Sequence, residues 1–161
     1  MKFEHLIQIN DPLNPLIDAL SRDQLWRGLM AYVEDPASFQ VGLDRCAIIE
    51  RGVDRCRREL FFGRVRVQDQ VQFFPQERIR IDTLATAETP AGALTLTIEQ
   101  PGPEQLYLRF IFETFPQGHG VVPAEYQAVM KEAYRQTGID IVRRIRDLAA
   151  GADEEPHSLK H

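Results

Sequence analysis

The chain predicts an α+β fold, a curved antiparallel sheet wrapped around one long C-terminal helix, and three observations carry that prediction. Residues 44–115 read as one short strand after another, separated by Gly, Pro and Asp turn signals. Residues 123–150 then carry an apolar stripe at helical spacing. Alternate positions of the strand run are apolar and charged, so one sheet face needs cover, and the helix can supply it. With a first strand near the N-terminus the expectation is seven strands, two short helices after strand 1, and a single domain over residues 1–150. Residues 151–161 are polar and are expected to form a flexible tail.

The first strand is placed at residues 2–9, where Phe3, Ile7 and Ile9 share one parity with His5 among them. Asp11-Pro12-Leu13-Asn14-Pro15 ends it. Ser21 with Gln24 three residues on is a capping box, opening a helix over 22–34. Leu25, Trp26, Leu29, Met30 and Val33 form its apolar face. Asp35-Pro36 stops that helix and starts one further short turn through Phe39. Turn signals at Gly52-Val53-Asp54, Phe62-Gly63, Pro75-Gln76-Glu77 and Pro101-Gly102-Pro103 then delimit strands at 45–51, 55–61, 64–74, 78–84, 93–99 and 106–115. In the last helix Tyr126, Met130, Tyr134, Thr137, Ile141 and Ile145 recur at three- and four-residue steps. Gly138 sits inside it at a cost of about 1 kcal/mol against Ala, which marks a bend or a close approach to the sheet.

Pairing the strands through these turns gives an expected register. Arg51 faces Arg55, Cys46 faces Leu60 and Glu50 faces Cys56; Arg58 faces Val67 and Cys56 faces Asp69; Val71 faces Ile81 and Phe73 faces Ile79. One face then carries Leu60, Val67, Val71, Ile81, Leu96 and Phe110, and the other Arg57, Glu59, Arg66, Gln70, Asp82 and Arg109. Glu50, Arg58 and Asp69 fall on the apolar face, with Arg58 and Asp69 as diagonal neighbours. A buried charge needs a partner. The trio is therefore either a polar patch or acid/base pair addressed to a ligand, or a satisfied ion pair, or a bulge that turns the side chains outward. An inward His5 is a potential general base or an imidazole bonded to a backbone carbonyl. His119, between glycines, is a ligand contact or a plain turn residue.

Composition narrows the function. A net charge of −5 argues against phosphate-backbone binding as the main task, although sixteen of the nineteen basic residues are Arg. No apolar run approaches the roughly 18–20 residues of a membrane span. The N-terminal MKFEHLIQIN lacks a signal-peptide core, so a cytoplasmic protein is expected, with Cys46 and Cys56 as free thiols. Phosphate loops, HExxH, CxxC and GxSxG elbows are absent, and the four histidines lack metal-ligand spacing.

FEHLIQIN near the start, then NPL, LTLTIE at 94–99 and YLRFIFET at 107–114, resemble a small family of uncharacterised proteins named for acetylaranotin biosynthesis cluster protein L. The order of elements is similar to the helix-grip superfamily of START lipid-transfer domains, birch-pollen-type allergens and polyketide aromatase/cyclases. The resemblance implies a hollow between sheet and helix that takes a small lipophilic molecule, without metal or prosthetic group. Trp26, Phe39, Phe73, Phe110, Phe112, Tyr126 and Tyr134 are then candidates to line it, with Met130 beside them; filling a solid core is their other use. Glu50, Arg58, Asp69 and the tyrosines would orient the ligand. Two rivals stand beside binding. One is a cavity enzyme of the cyclase, dehydratase or hydrolase type, with Asp69 or His5 as base and Arg58 holding an oxyanion. The other is a structural or regulatory module with a filled core.

Overall fold

A computed structural model describes residues 1–87, 89–115 and 124–158, with side chains in the last helix described to Gly151. His119, His161 and the loop at 116–122 lie outside the described residues. The chain runs β1 (Lys2–Asn10), α1 (Arg22–Glu34), a 3₁₀ turn (Pro36–Ser38), β2 (Arg45–Arg51), β3 (Arg55–Phe62), β4 (Val65–Phe74), β5 (Arg78–Thr83), β6 (Ala91–Glu99), β7 (Leu106–Phe115) and α2 (Ala124–Ser158). The seven strands form one antiparallel sheet in the order β1-β7-β6-β5-β4-β3-β2. Helix α2 extends past the expected end at residue 150.

Local chemistry explains the boundaries. The Ser21 hydroxyl accepts from the Gln24 backbone N–H at 3.0 Å, and the Gln24 side chain accepts from the Ser21 N–H at 2.8 Å, closing the capping box. The Asn10 side chain donates to the Leu20 carbonyl at 2.7 Å and accepts from its N–H at 2.8 Å. It so ties off the loop between β1 and α1.

The sheet register departs from expectation at two places. Strands β3 and β4 pair through Phe62 and Val65 across a two-residue loop that begins at Gly63, whose φ is 59°. The loop sits one residue later than Phe62-Gly63, so Arg58 faces Asp69 directly and Cys56 faces Val71. The displacement along the partner strand is even, so every side chain keeps its face. In β2 a bulge between Ile48 and Glu50 pairs Glu50 with Arg57 and Arg51 with Cys56. The extra residue reverses the parity beyond it. Glu50 therefore leaves the apolar face, with 68% of its side chain exposed and an ion pair to Arg57 at 3.3 Å. The expected pairings of Val71 with Ile81, Phe73 with Ile79 and Cys46 with Leu60 are present, and both cysteines are free.

The core lies where Leu25, Leu29 and Val33 of α1 and Ile141 and Ile145 of α2 meet Ile79, Leu96, Leu108 and Phe110 of the sheet. Full burial of each such side chain stabilises the fold by about 1.5–3 kcal/mol. Only the C-terminal part of α2 is so engaged. Towards its N-terminus Tyr126 and Val129 are more than half exposed.

Two helix glycines make opposite predictions. A Cβ on Gly28 of α1 would lie 2.5 Å from Ile145 Cγ2 and 2.9 Å from its Cγ1. Ile145 is buried and stiff at χ1, so the helices must separate. Gly28→Ala should cost about 1–3 kcal/mol despite its better helix propensity. At Gly138 the nearest atoms, on His5, Ile7 and Phe110, stand 3.4–3.5 Å away, an ordinary contact. This is the close approach that the glycine signalled, and it leaves room for a methyl. Gly138→Ala should therefore stabilise by up to about 1 kcal/mol. Urea unfolding of the two variants checks the pair, and equal signs would refute the contact argument.

Candidate functional site

Under the N-terminal part of α2 the sheet leaves a hollow of about 520 Å³. Its apolar walls come from Leu60 of β3, Val65 and Val67 of β4, Ile81 of β5, Leu94 of β6 and Phe112 of β7. Tyr134 and Thr137 close it from α2, and Tyr32 from α1. The hollow exists because α2 packs tightly only towards its C-terminal end, while the concave sheet continues beneath its exposed end. A second pocket of about 370 Å³ adjoins it, lined by Met130 and Tyr126 and sharing Leu94, Phe112 and Tyr134.

One wall carries charge. Arg58 and Asp69 are only 2% and 4% exposed. The guanidinium grips the carboxylate with two bonds, Nε to Oδ1 at 2.9 Å and Nη2 to Oδ2 at 2.6 Å. Its Nη1 donates to the Val33 carbonyl at 2.8 Å. Val33 is in the last turn of α1, where carbonyls lack helical partners and the dipole is negative. That turn has no basic residue of its own, so Arg58 caps it from the sheet. Burial disfavours the Arg58 cation, but the bonds and charge of Asp69 more than offset it and leave its pKa raised. Tyr32 lies beside the pair, edge-on to Phe39 at 5.3 Å between ring centroids. Burial is the main cause that pushes its phenol up to about 12; Arg58 opposes the shift and Asp69 adds to it.

The expected site residues separate into groups. Arg58, Asp69, Phe112 and Tyr134 line the hollow; Tyr126 and Met130 line the pocket beside it. Phe110 and Phe112 stack in parallel, and Phe112 stacks in turn on Tyr134 at 4.4 Å, so Phe110 supports the lining from within the core. Tyr134 is further held by a 3.1 Å bond between its hydroxyl and that of Thr114. Trp26 and Phe39 are core residues, and Phe73 packs at the core margin. Glu50 is on the outer surface, so the expected three-charge cluster is a two-charge pair.

His5 points at α2 rather than into the hollow, beside Phe110 and Gly138. Its Nδ1 is buried without a hydrogen-bond partner. Burial first, and Arg135 second, hold its pKa below the usual 6.5. The unfolded chain then binds the proton more readily than the folded one. The His5 contribution to stability is complete above pH 6.5 or so and is lost as pH falls from there through the lower folded value. Urea midpoints at pH 7.5 and 5.0 should differ less in His5→Phe than in the natural chain. An imidazole titrating above its usual value by NMR would contradict this.

Tyr32, Gln40, Phe62 and Thr137 were not singled out from sequence as site residues. Tyr32 follows Leu25 by seven and Leu29 by three, and that helical spacing is the signal that could have added it to the inner face of α1. Phe62 shares parity with Arg58 and Leu60. Gln40 lies in an irregular loop and carries no such signal. Among the described residues no three His, Cys, Asp or Glu side chains form a metal-ligand cluster, and no helix is long and apolar enough to cross a membrane.

The family profile of acetylaranotin biosynthesis cluster protein L matches residues 7–152. No curated protein matches the chain. Among solved structures the fold is similar to the Zhui aromatase/cyclase from Streptomyces sp. R1128, with TM-score 0.64 and 18% identity over 94% of each chain. It is also similar to human STARD10, with TM-score 0.66 and 11% identity over 97% of this chain and 68% of that one. Ara h 8.0201 superposes with TM-score 0.58 and 11% identity over 91% and 98%. At these identities the likeness is one of fold, the helix grip.

Proposed function

This chain belongs to the acetylaranotin biosynthesis cluster protein L family, and from that premise we propose that it binds a small apolar or amphipathic molecule, non-covalently, in the hollow between sheet and α2. The observation that carries the reading is the hollow itself. Its volume of about 520 Å³ falls within the range of about 300–1,000 Å³ typical of ligand sites. Its walls combine Val, Leu, Ile and Phe side chains with neutral polar groups and one ion pair, a composition that gives affinity through burial and orientation through hydrogen bonds. The family's namesake belongs to a biosynthesis cluster, and a small organic molecule suits that setting.

A cavity enzyme of the aromatase/cyclase type is the second reading, favoured by the charged pair on the wall. Arg58 is already committed to Asp69 and Val33 through three bonds, an arrangement suited to holding a group in place more than to moving a proton.

Native mass spectrometry of the protein purified from its own host tests the proposal. A retained mass, released on unfolding and absent from the hollow-filling variant described in the Discussion, is the expected result. A bare chain that also fails to take up the uncharged dye Nile red would overturn it.

A further inference from the structure

The charge balance of the hollow says what kind of molecule it accepts. Among the described lining residues Arg58 and Asp69 are the only charged ones, and they neutralise each other through two direct bonds. The remaining polar lining is uncharged: Gln40, Thr83, Thr89 and Thr137, with the two tyrosines. A carboxylate or phosphate brought here would lose its hydration and find no free cation, with the Asp69 carboxylate in the same wall. A cation would meet an Asp69 already satisfied. Hydroxyl and carbonyl groups, by contrast, can bond to neutral donors and acceptors at little desolvation cost.

We infer that the ligand is uncharged, an apolar ring or chain bearing hydroxyl or carbonyl groups, and that the Arg58–Asp69 pair rejects anions. This rests on the hollow being a binding site and narrows the class of molecule that fills it. Tyr32 fits the assignment. It lines the hollow, and its raised pKa keeps it a neutral donor. The pair acts as a charge filter rather than as an anion anchor. An arginine in a lipophilic cavity would ordinarily suggest an anion site; the bidentate carboxylate reverses that reading.

A matched pair of probes tests it. Nile red is bound first, then displaced with 2-naphthol or with 2-naphthoate, which share a skeleton and differ in charge at pH 7.5. The natural chain should prefer naphthol by about tenfold or more. Asp69→Asn leaves Arg58 charged and without its carboxylate, so naphthoate should displace the dye at least about tenfold better than from the natural chain. Should Asp69→Asn fail to fold, the ratio on the natural chain still decides. Naphthoate binding as well as naphthol overturns the inference and leaves the binding site standing. So does a folded Asp69→Asn with no gain for naphthoate, or dye that neither naphthalene displaces. If Nile red itself does not bind, the site and the inference fall together.

Discussion

Asp69→Ala should lower the unfolding free energy by about 3–5 kcal/mol, among the largest losses open to a single polar substitution in this chain. The reason is the position of its partner. Arg58 stands 2% exposed in a wall with no other cation, and two of its three bonds go to Asp69. Removing the carboxylate leaves a buried cation with the Val33 carbonyl alone. Removing both charges is a different matter. Desolvating the two ions is costly, so Arg58→Met combined with Asp69→Leu should be near neutral or mildly stabilising, up to about 1–4 kcal/mol. The double-mutant cycle should thus show a strong coupling of opposite sign to the single losses. Urea denaturation read through the sole tryptophan, the buried Trp26, measures Asp69→Ala and the cycle's variants, Arg58→Met, Asp69→Leu and the two combined. A loss under about 1 kcal/mol for Asp69→Ala would mean that water reaches Arg58 freely. The wall would then not be a low-dielectric surface, and the charge filter would fail with it.

Filling the hollow should abolish binding while sparing the fold. Val67→Trp with Leu94→Trp places two indoles on neighbouring walls of the same space. Overpacking destabilises where no void exists, but here the added rings occupy space that is otherwise empty. Stability should change by less than about 2 kcal/mol, while Nile red affinity should fall by about 100-fold or more, because a filled pocket forfeits the apolar burial that drives association. Circular dichroism and dye titration separate the two effects. Unchanged dye binding would place the ligand elsewhere, and the adjoining pocket lined by Met130 and Tyr126 would be the first place to look. The phenylalanine stack behind the wall offers a control: Phe110→Ala removes a fully buried ring from the core and should cost about 3–5 kcal/mol of stability.

Most of the architecture is legible in the sequence, and the reason is periodicity. Alternation along β4 to β7 specifies the buried face because a one-residue slip would invert a whole strand. The capping box at Ser21 and Gln24, and the stop at Asp35-Pro36, bound α1 from local chemistry alone. The candidate site was less legible. Arg58 and Asp69 were visible as charges on an apolar face, since their parity survives the displaced turn at Gly63. Glu50 was misplaced because a bulge at Ile48/Glu50 leaves no mark in the pattern of side chains. The aromatics show the same limit. Phe110, Phe112, Trp26 and Phe39 all read as inward, yet only Phe112 reaches the hollow. Inwardness is a property of the strand or helix, whereas lining a cavity depends on how far the facing element stands off.

By itself, then, the sequence determined which faces are buried, where α1 starts and stops, and that charges lie on the inner face. These follow from local propensity and from the two side-chain periods, both carried by short stretches of chain. The tertiary structure alone decided that Arg58 and Asp69 meet end to end and cap α1, that Glu50 turns outward, and that a hollow remains beneath α2. Each of those depends on the distance between segments far apart in the chain. That distance is set by a bulge, a turn position and the contact of Gly28 with Ile145, none of which alters the hydrophobic pattern.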